Sequence, residues 1–338
     1  MRYFEEMIAA YKNRILINAE DHPNDLVQYC AANLSLSKNT VTKYINELIQ
    51  SGQLLRTKTG RFPAYALPIT EKTFSFQCAD TKSEEDVWRT ILPFVEKQPR
   101  EVAQILDYSF LEICNNVLEH SEAKQFTVKV EKSFVKLRIT IADDGIGIFT
   151  KIKNDLHLWD EAQAIIELSK GKFTSNPQNH SGEGIFFSSK LCDLFAIFSG
   201  NLSYSPQETI PADLVPPQPV QGTTVVFTIY FNTQKNAQKI FAEFAGSGVD
   251  EPQFKTIIQL RFMEQEGIAL TSRSQARRLL NRLEKFTCAV FDFSGVHFIG
   301  QAFADEIFRV YPTKNPRTEL QYINANADIE NMIVHVRR

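Results

Sequence analysis

The chain has 338 residues, 43% of them hydrophobic and 23% charged, which is ordinary for a globular protein and enough for two or three domains. Its formal net charge is −3, so no whole-chain field draws it to nucleic acid, and no apolar run approaches the length of a membrane span. Five cysteines, Cys30, Cys78, Cys114, Cys192 and Cys288, lie far apart with no Cys-x-x-Cys, which indicates neither a disulfide framework nor a zinc module and fits a reducing cytoplasm. The opening Met1-Arg2-Tyr3-Phe4-Glu5-Glu6 has no signal-peptide pattern.

Residues 1–68 begin with helical patterns near 4–19 and 24–33. Ser35-Leu36-Ser37 then caps a third helix, Lys38–Gln50, with Val41, Ile45, Leu48 and Ile49 on its apolar face, and Ser51-Gly52 ends it. Residues 54–57 and 64–67 read as a hairpin around Lys58-Thr59-Gly60-Arg61. This pattern resembles a winged helix-turn-helix. Over residues 36–65, Lys38, Lys43, Arg56, Lys58 and Arg61 stand against a single acid, Glu47. The resemblance implies that Lys38, Asn39, Thr42 and Lys43 face a major groove while Arg56, Lys58 and Arg61 meet flanking phosphates. Protein contact or dimerisation is the other use of such a module. Residues 69–82 are expected to be a linker.

In 102–118, apolar residues recur at Ile105, Leu106, Phe110, Ile113, Val117 and Leu118 with a helical period. Glu112 and Asn116 are four apart and share one face. A carboxylate there can orient or deprotonate a nucleophile, and an amide oxygen suits Mg²⁺. The same pair on a helix alone also fits a solvated polar strip. Residues 127–141 alternate as two antiparallel strands joined near Lys132-Ser133, and the second delivers Asp143 into Asp143-Asp144-Gly145-Ile146-Gly147. The glycines let backbone approach a ligand closely, and the carboxylate can accept a hydrogen bond from an adenine amine. Ser181-Gly182-Glu183-Gly184-Ile185 opens a further apolar run, and a glycine-rich loop feeding a helix N-terminus binds phosphate through free N–H groups. Neither the dinucleotide fingerprint nor a phosphate-loop lysine motif is present.

Together these segments resemble the GHKL ATPases, the group of DNA gyrase B, the heat-shock chaperone ATPase, histidine-kinase catalytic domains and MutL. The resemblance covers about residues 83–232, with the domain expected over 83–235. It implies Glu112 as general base, Asn116 as the Mg²⁺ ligand, Asp143 as the adenine reader with Gly145 and Gly147 around it, and Gly182 and Gly184 as hinge glycines over the phosphates. Gly222-Thr223 matches a fourth box whose Thr supports that Asp, usually through water. Residues of about 149–182 would be the ATP lid, with Lys170 and Lys172 as phosphate partners. Residues 201–221, rich in Pro, Ser and Gln, read as a loop insertion.

Over 246–338 the pattern alternates strand and helix, as in a layered α/β domain. Strands are expected at 256–260, 289–293 and 319–324, and helices at 272–286, 301–310 and 327–336. The stretch Phe291-Asp292-Phe293-Ser294-Gly295-Val296-His297-Phe298-Ile299 resembles STAS domains. Those antagonists carry a phosphorylatable Ser at the start of the next helix, where this chain reads Gly300-Gln301-Ala302-Phe303.

The expected architecture is therefore α+β and multidomain: a winged helix, a GHKL α/β sandwich with a mixed sheet and helices on one face, and a STAS-like α/β domain. The expected function is that of a cytoplasmic regulator in which binding or slow hydrolysis of ATP with Mg²⁺ switches what the flanking modules bind. Double-stranded DNA and a regulatory protein are the expected partners, no membrane is involved, and a homodimer is compatible with the pattern. A serine protein kinase of the anti-sigma type is the alternative enzyme, and a site that merely holds nucleotide is the non-enzymatic one. A histidine kinase fits less well, because no dimerisation helix with an acceptor His precedes the ATP site.

Overall fold

The computed structural model describes residues 2–60, 63–96, 98–171, 183–245, 255–265 and 269–337, the side chains of 2, 3, 245, 264 and 265 aside. Arg61, Lys172 and Gly182 lie outside the described residues.

The first module contains α1 (Arg2–Asn18), α2 (Leu26–Asn33), α3 (Lys38–Gln50) and an antiparallel hairpin of β1 (Leu55–Lys58) and β2 (Ala64–Ala66). Ser37 is extended and its hydroxyl accepts the Thr40 N–H at 3.1 Å, which satisfies one of the orphan donors that start α3. Ile15, Leu26, Cys30, Val41, Ile45 and Leu48 close a small core. Val135 of the next domain joins that core, and Lys136 forms a 2.5 Å ion pair with Glu20.

The middle domain contains β3 (Thr70–Gln77), α4 (Glu84–Val95), α5 (Arg100–His120), β4 (Gln125–Lys132), β5 (Lys136–Asp143), α6 (Ile148–Asp155), α7 (Glu161–Lys170), α8 (Gly184–Leu191), β6 (Leu194–Gly200), β7 (Leu202–Tyr204), β8 (Val220–Tyr230) and α9 (Ala237–Ala245). Its six strands run in the order β3-β4-β5-β8-β6-β7. Two expectations are corrected here. Residues 70–77 are not linker but an edge strand paired along its length with β4. The sheet is antiparallel throughout rather than mixed, because β8 lies between β5 and β6 and runs opposite to both. The edge strand was hidden by its polarity: only Phe74 and Phe76 lean on the core, while its other side chains are exposed.

Alternation along the central strands sends Ile139, Ile141, Phe227, Ile229, Phe195 and Ile197 to one face, where α5 meets them with Ile105, Phe110, Ile113 and Val117. Each large apolar side chain withdrawn from water there contributes about 1.5–3 kcal/mol. The other face carries a smaller cluster in which Leu214, from the stretch expected as an insertion, covers Ala196, Phe198 and Val226.

The C-terminal module contains β9 (Lys255–Gln259), α10 (Arg261–Gln265), α11 (Arg273–Leu280), β10 (Cys288–Asp292), α12 (Gln301–Asp305), α13 (Tyr311–Lys314), β11 (Glu319–Ile323) and α14 (Ala327–Arg337). A wider helical turn, Glu306–Val310, joins α12 to α13. The strands are parallel in the order β11-β10-β9. The helix expected over 272–286 stops at Leu280, where Asn281 leaves the helical backbone at ψ 132°, and Arg282 then takes a left-handed backbone at φ 63° before Leu283 reaches the core.

This module is packed into the middle domain. Ile166 of α7 belongs to the C-terminal core, and Phe262 of α10 belongs to the middle core. The Arg261 guanidinium donates to the carbonyls of Ser205 (3.1 Å), Pro206 (3.1 Å) and Gln207 (2.7 Å). Among the described residues, no helix is long and apolar enough to cross a membrane.

Candidate functional site

The site forms where the end of β5, the C-terminal half of α5, the start of α8 and the Gly222 bend of β8 meet. Asp143 is the last residue of β5 and is buried. Its Oδ1 accepts two backbone hydrogen bonds, from Gly145 N–H at 2.9 Å and Thr223 N–H at 3.3 Å. Burial nevertheless dominates and lifts its pKa from 3.8 to about 6, with the two amides opposing and Asp144 adding to the rise. A buried carboxylate so incompletely compensated is suited to a further donor, such as an exocyclic amine.

Asp144 faces the other way. Its Oδ1 accepts the N–H groups of Lys124 (2.8 Å) and Gln125 (3.1 Å), which hold its carboxyl below the usual carboxylate range. Ile146 N–H is bonded to the Ser121 carbonyl at 2.9 Å, tying the loop to the C-cap of α5.

The glycines are required by backbone approach. A Cβ on Gly145 would lie 2.1 Å from the Ser121 carbonyl oxygen, and one on Gly222 would lie 2.2 Å from the Asp143 carbonyl oxygen. Gly147 has φ +85°, and a Cβ there would lie 2.4 Å from Ser199 Oγ, which itself donates to the Gly222 carbonyl at 2.7 Å. Thr223 contributes its N–H directly to Asp143, while its hydroxyl accepts the Ile148 N–H at 3.0 Å at the start of α6.

On α5, Asn116 Nδ2 donates to the Glu112 carbonyl at 2.8 Å, which commits the NH₂ group and leaves the amide oxygen as the acceptor. The backbone of Gly184 rests on the Glu112 carboxylate, since a Cβ there would lie 2.0 Å from Glu112 Oε2. Tyr108, one turn before Glu112, has its phenol pushed up by burial and then by the charges of Glu112 and Glu183. Glu112 and the Ser121 anchor are nine residues apart, about 13 Å along the helix.

The structure thus brings Glu112, Asn116, Asp143, Gly145, Gly147, Gly184 and Thr223 into one region. Lys170 is corrected. It is 1% exposed, and its Nζ donates to Glu167 Oε1 at 2.7 Å and to the Asn281 carbonyl at 2.9 Å, at the seam with the C-terminal module. Its role there is structural because residues 163–170 are all buried, so the ammonium takes an internal carboxylate in place of a phosphate. Ser121 and Ser199 had no signal in the sequence, because each acts through a tertiary contact outside any motif, and Asp144, though inside the 143–147 segment, meets its partners Lys124 and Gln125 only in the fold.

In the first module, Lys38, Asn39 and Lys43 are exposed on α3, Thr42 is half-buried, and Arg56 and Lys58 are exposed on β1. Glu47, the single acid of this stretch, is paired with Lys12 of α1 at 2.8 Å. Arg56 is held against α3 by Asn46 Oδ1 at 3.0 Å.

Residues 101–233 match the family of histidine kinase-, DNA gyrase B- and HSP90-like ATPases. The middle of the chain is a GHKL-type ATPase domain. Residues 275–330 match a STAS-like domain of unknown function. A comparison with curated proteins finds no match. A GHKL-type domain implies ATP, typically with Mg²⁺, and the residues present fit that ligand. The under-compensated Asp143 carboxylate sits in a glycine cradle, and an amide oxygen on Asn116 stands one helical turn from Glu112.

Proposed function

We propose that this protein is an ATP-dependent regulator in which the GHKL-type site binds ATP with Mg²⁺ and thereby alters what the flanking modules bind. The observation that carries the reading is Asp143, whose buried carboxylate takes Gly145 and Thr223 as its donors among the described residues and sits where backbone approach demands glycine. Asp143 would accept the adenine amine. Asn116 would offer its oxygen to Mg²⁺, which takes few protein ligands and keeps several waters. Bound there, Mg²⁺ would neutralise phosphate charge. Glu112 would orient the attacking water, or a partner's hydroxyl in the kinase alternative, and take its proton.

The partner proposed for the N-terminal module is double-stranded DNA. Support comes from Lys38, Lys43, Arg56 and Lys58, exposed on α3 and the hairpin of an otherwise slightly acidic chain. The module is braced on the ATPase domain by Val135 and by the Lys136–Glu20 pair, at the start of the strand that ends in Asp143. A nucleotide at the end of β5 and a duplex on α3 would therefore act on one connected body.

Incubation of the full chain with ATP labelled in its γ-phosphate tests the chemistry. Labelled free phosphate marks slow hydrolysis, and label retained on protein marks a kinase. Binding with neither marks a nucleotide-gated holder, and no binding at all overturns the ATP reading.

A further inference from the structure

A buried polar joint connects the STAS-like module to the ATPase domain. Lys170 ends α7 and is 1% exposed, as is Glu167 one turn before it. The lysine reaches Glu167 Oε1 at 2.7 Å and the Asn281 carbonyl of the C-terminal module at 2.9 Å. The guanidinium of Arg282 stands 3.6 Å from the second Glu167 oxygen. Buried Thr256, on β9, donates its hydroxyl to the Lys170 carbonyl at 2.8 Å. Two charges so far from water require close partners, which Asn281 and Arg282 of the C-terminal module help to supply, while Thr256 fixes the end of α7 through its backbone.

The joint continues into the site. Gly171, next after Lys170, has φ +77°, and a Cβ on it would lie 2.8 Å from the Phe186 ring on α8. Two residues before Phe186, Gly184 rests on the Glu112 carboxylate with room for no further atom. The path from Asn281 and Arg282 to Glu112 is thus continuous through α7 and α8. Contact continuity alone is not coupling. What gives it force is that α8 cannot leave Glu112 without shifting Phe186 against Gly171.

We propose that the C-terminal module restrains the nucleotide site through the Glu167–Lys170 joint, holding the start of α8 against Glu112 and so weakening ATP binding until the joint is released. The proposal rests on the ATP reading above. By thermodynamic reciprocity, ATP must loosen the seam by the same factor that loosening the seam strengthens ATP binding.

The test uses the full chain, titrated calorimetrically with ATP and Mg²⁺. Arg282→Gly removes the guanidinium at a left-handed backbone position that glycine adopts freely, so the fold should survive. Thr256→Val removes one hydroxyl with little change of shape. Each should tighten ATP binding at least about fivefold, the lower range of allosteric couplings. Arg273→Ala, on the outer face of the same module, should leave affinity within about twofold of the parent. Saturating ATP should also speed hydrogen exchange of the β9 and β10 amides in the parent chain, and less so in Arg282→Gly. Folded Arg282→Gly and Thr256→Val proteins with parental or weaker ATP affinity overturn the joint while leaving the ATP site standing. A parent chain that binds no ATP overturns both.

Discussion

Asp143→Asn isolates the interaction on which the ATP reading depends. The substitution keeps the side-chain shape and a carbonyl oxygen that can still accept from Gly145 and Thr223 N–H. It replaces the second oxygen with an NH₂ group, which would confront the adenine amine donor to donor. A hydrogen bond to a charged group is worth about 1.5–3 kcal/mol, so affinity should fall roughly tenfold to a hundredfold. Stability should move the opposite way at neutral pH. The native pKa of Asp143 is lifted from 3.8 to about 6, so between those values the folded state holds more protons than the unfolded state. Stability from this group is complete below about pH 3.8 and declines as pH rises toward about 6, by an amount on the order of 3 kcal/mol for a two-unit shift. Asn carries no charge and escapes that penalty. The variant should thus be more stable than the parent at pH 8 and indistinguishable near pH 4, while binding ATP less well. Urea denaturation at the two pH values and ATP calorimetry at pH 8 read both effects. An Asn variant with parental ATP affinity would remove Asp143 from the site, and one with parental stability at pH 8 would refute the burial argument.

Three other outcomes are expected. Glu112→Ala should retain ATP binding but slow any turnover by about 10²–10⁴, the usual worth of a positioned acid–base group, as measured by release of labelled phosphate. Gly145→Ala places a Cβ 2.1 Å from the backbone oxygen of Ser121, which cannot rotate away, and should cost about 1–3 kcal/mol in a urea titration together with ATP affinity. Lys43→Ala should reduce the salt slope of binding to a random duplex by about one unit in fluorescence anisotropy, and a parent chain that binds no duplex at low salt would leave the N-terminal module as a protein-contact device.

The ATPase domain was legible in the chain because its chemistry sits on regular elements with strong local signatures. The Glu112–Asn116 pair lies on a helix of clear period, Asp143 ends an alternating strand, and the glycines follow within a few residues. The three-strand alternation of the C-terminal module was legible for the same reason. The edge strand at 70–77 was not, since a half-exposed strand needs no apolar alternation and is defined by its hydrogen bonds to β4. Nor was the fully antiparallel order, which depends on β8, more than 70 residues downstream in the chain, inserting beside β5. Lys170 shows the difference most sharply. By position it was a phosphate partner near a glycine loop. Its actual partners, Glu167 and the Asn281 carbonyl, become neighbours only when the C-terminal module docks on α7. Local sequence determined which residues could do chemistry, because periodicity and capping act within a few turns. Only the tertiary structure decided which of them meet, because burial and long-range pairing assign each charge its partner.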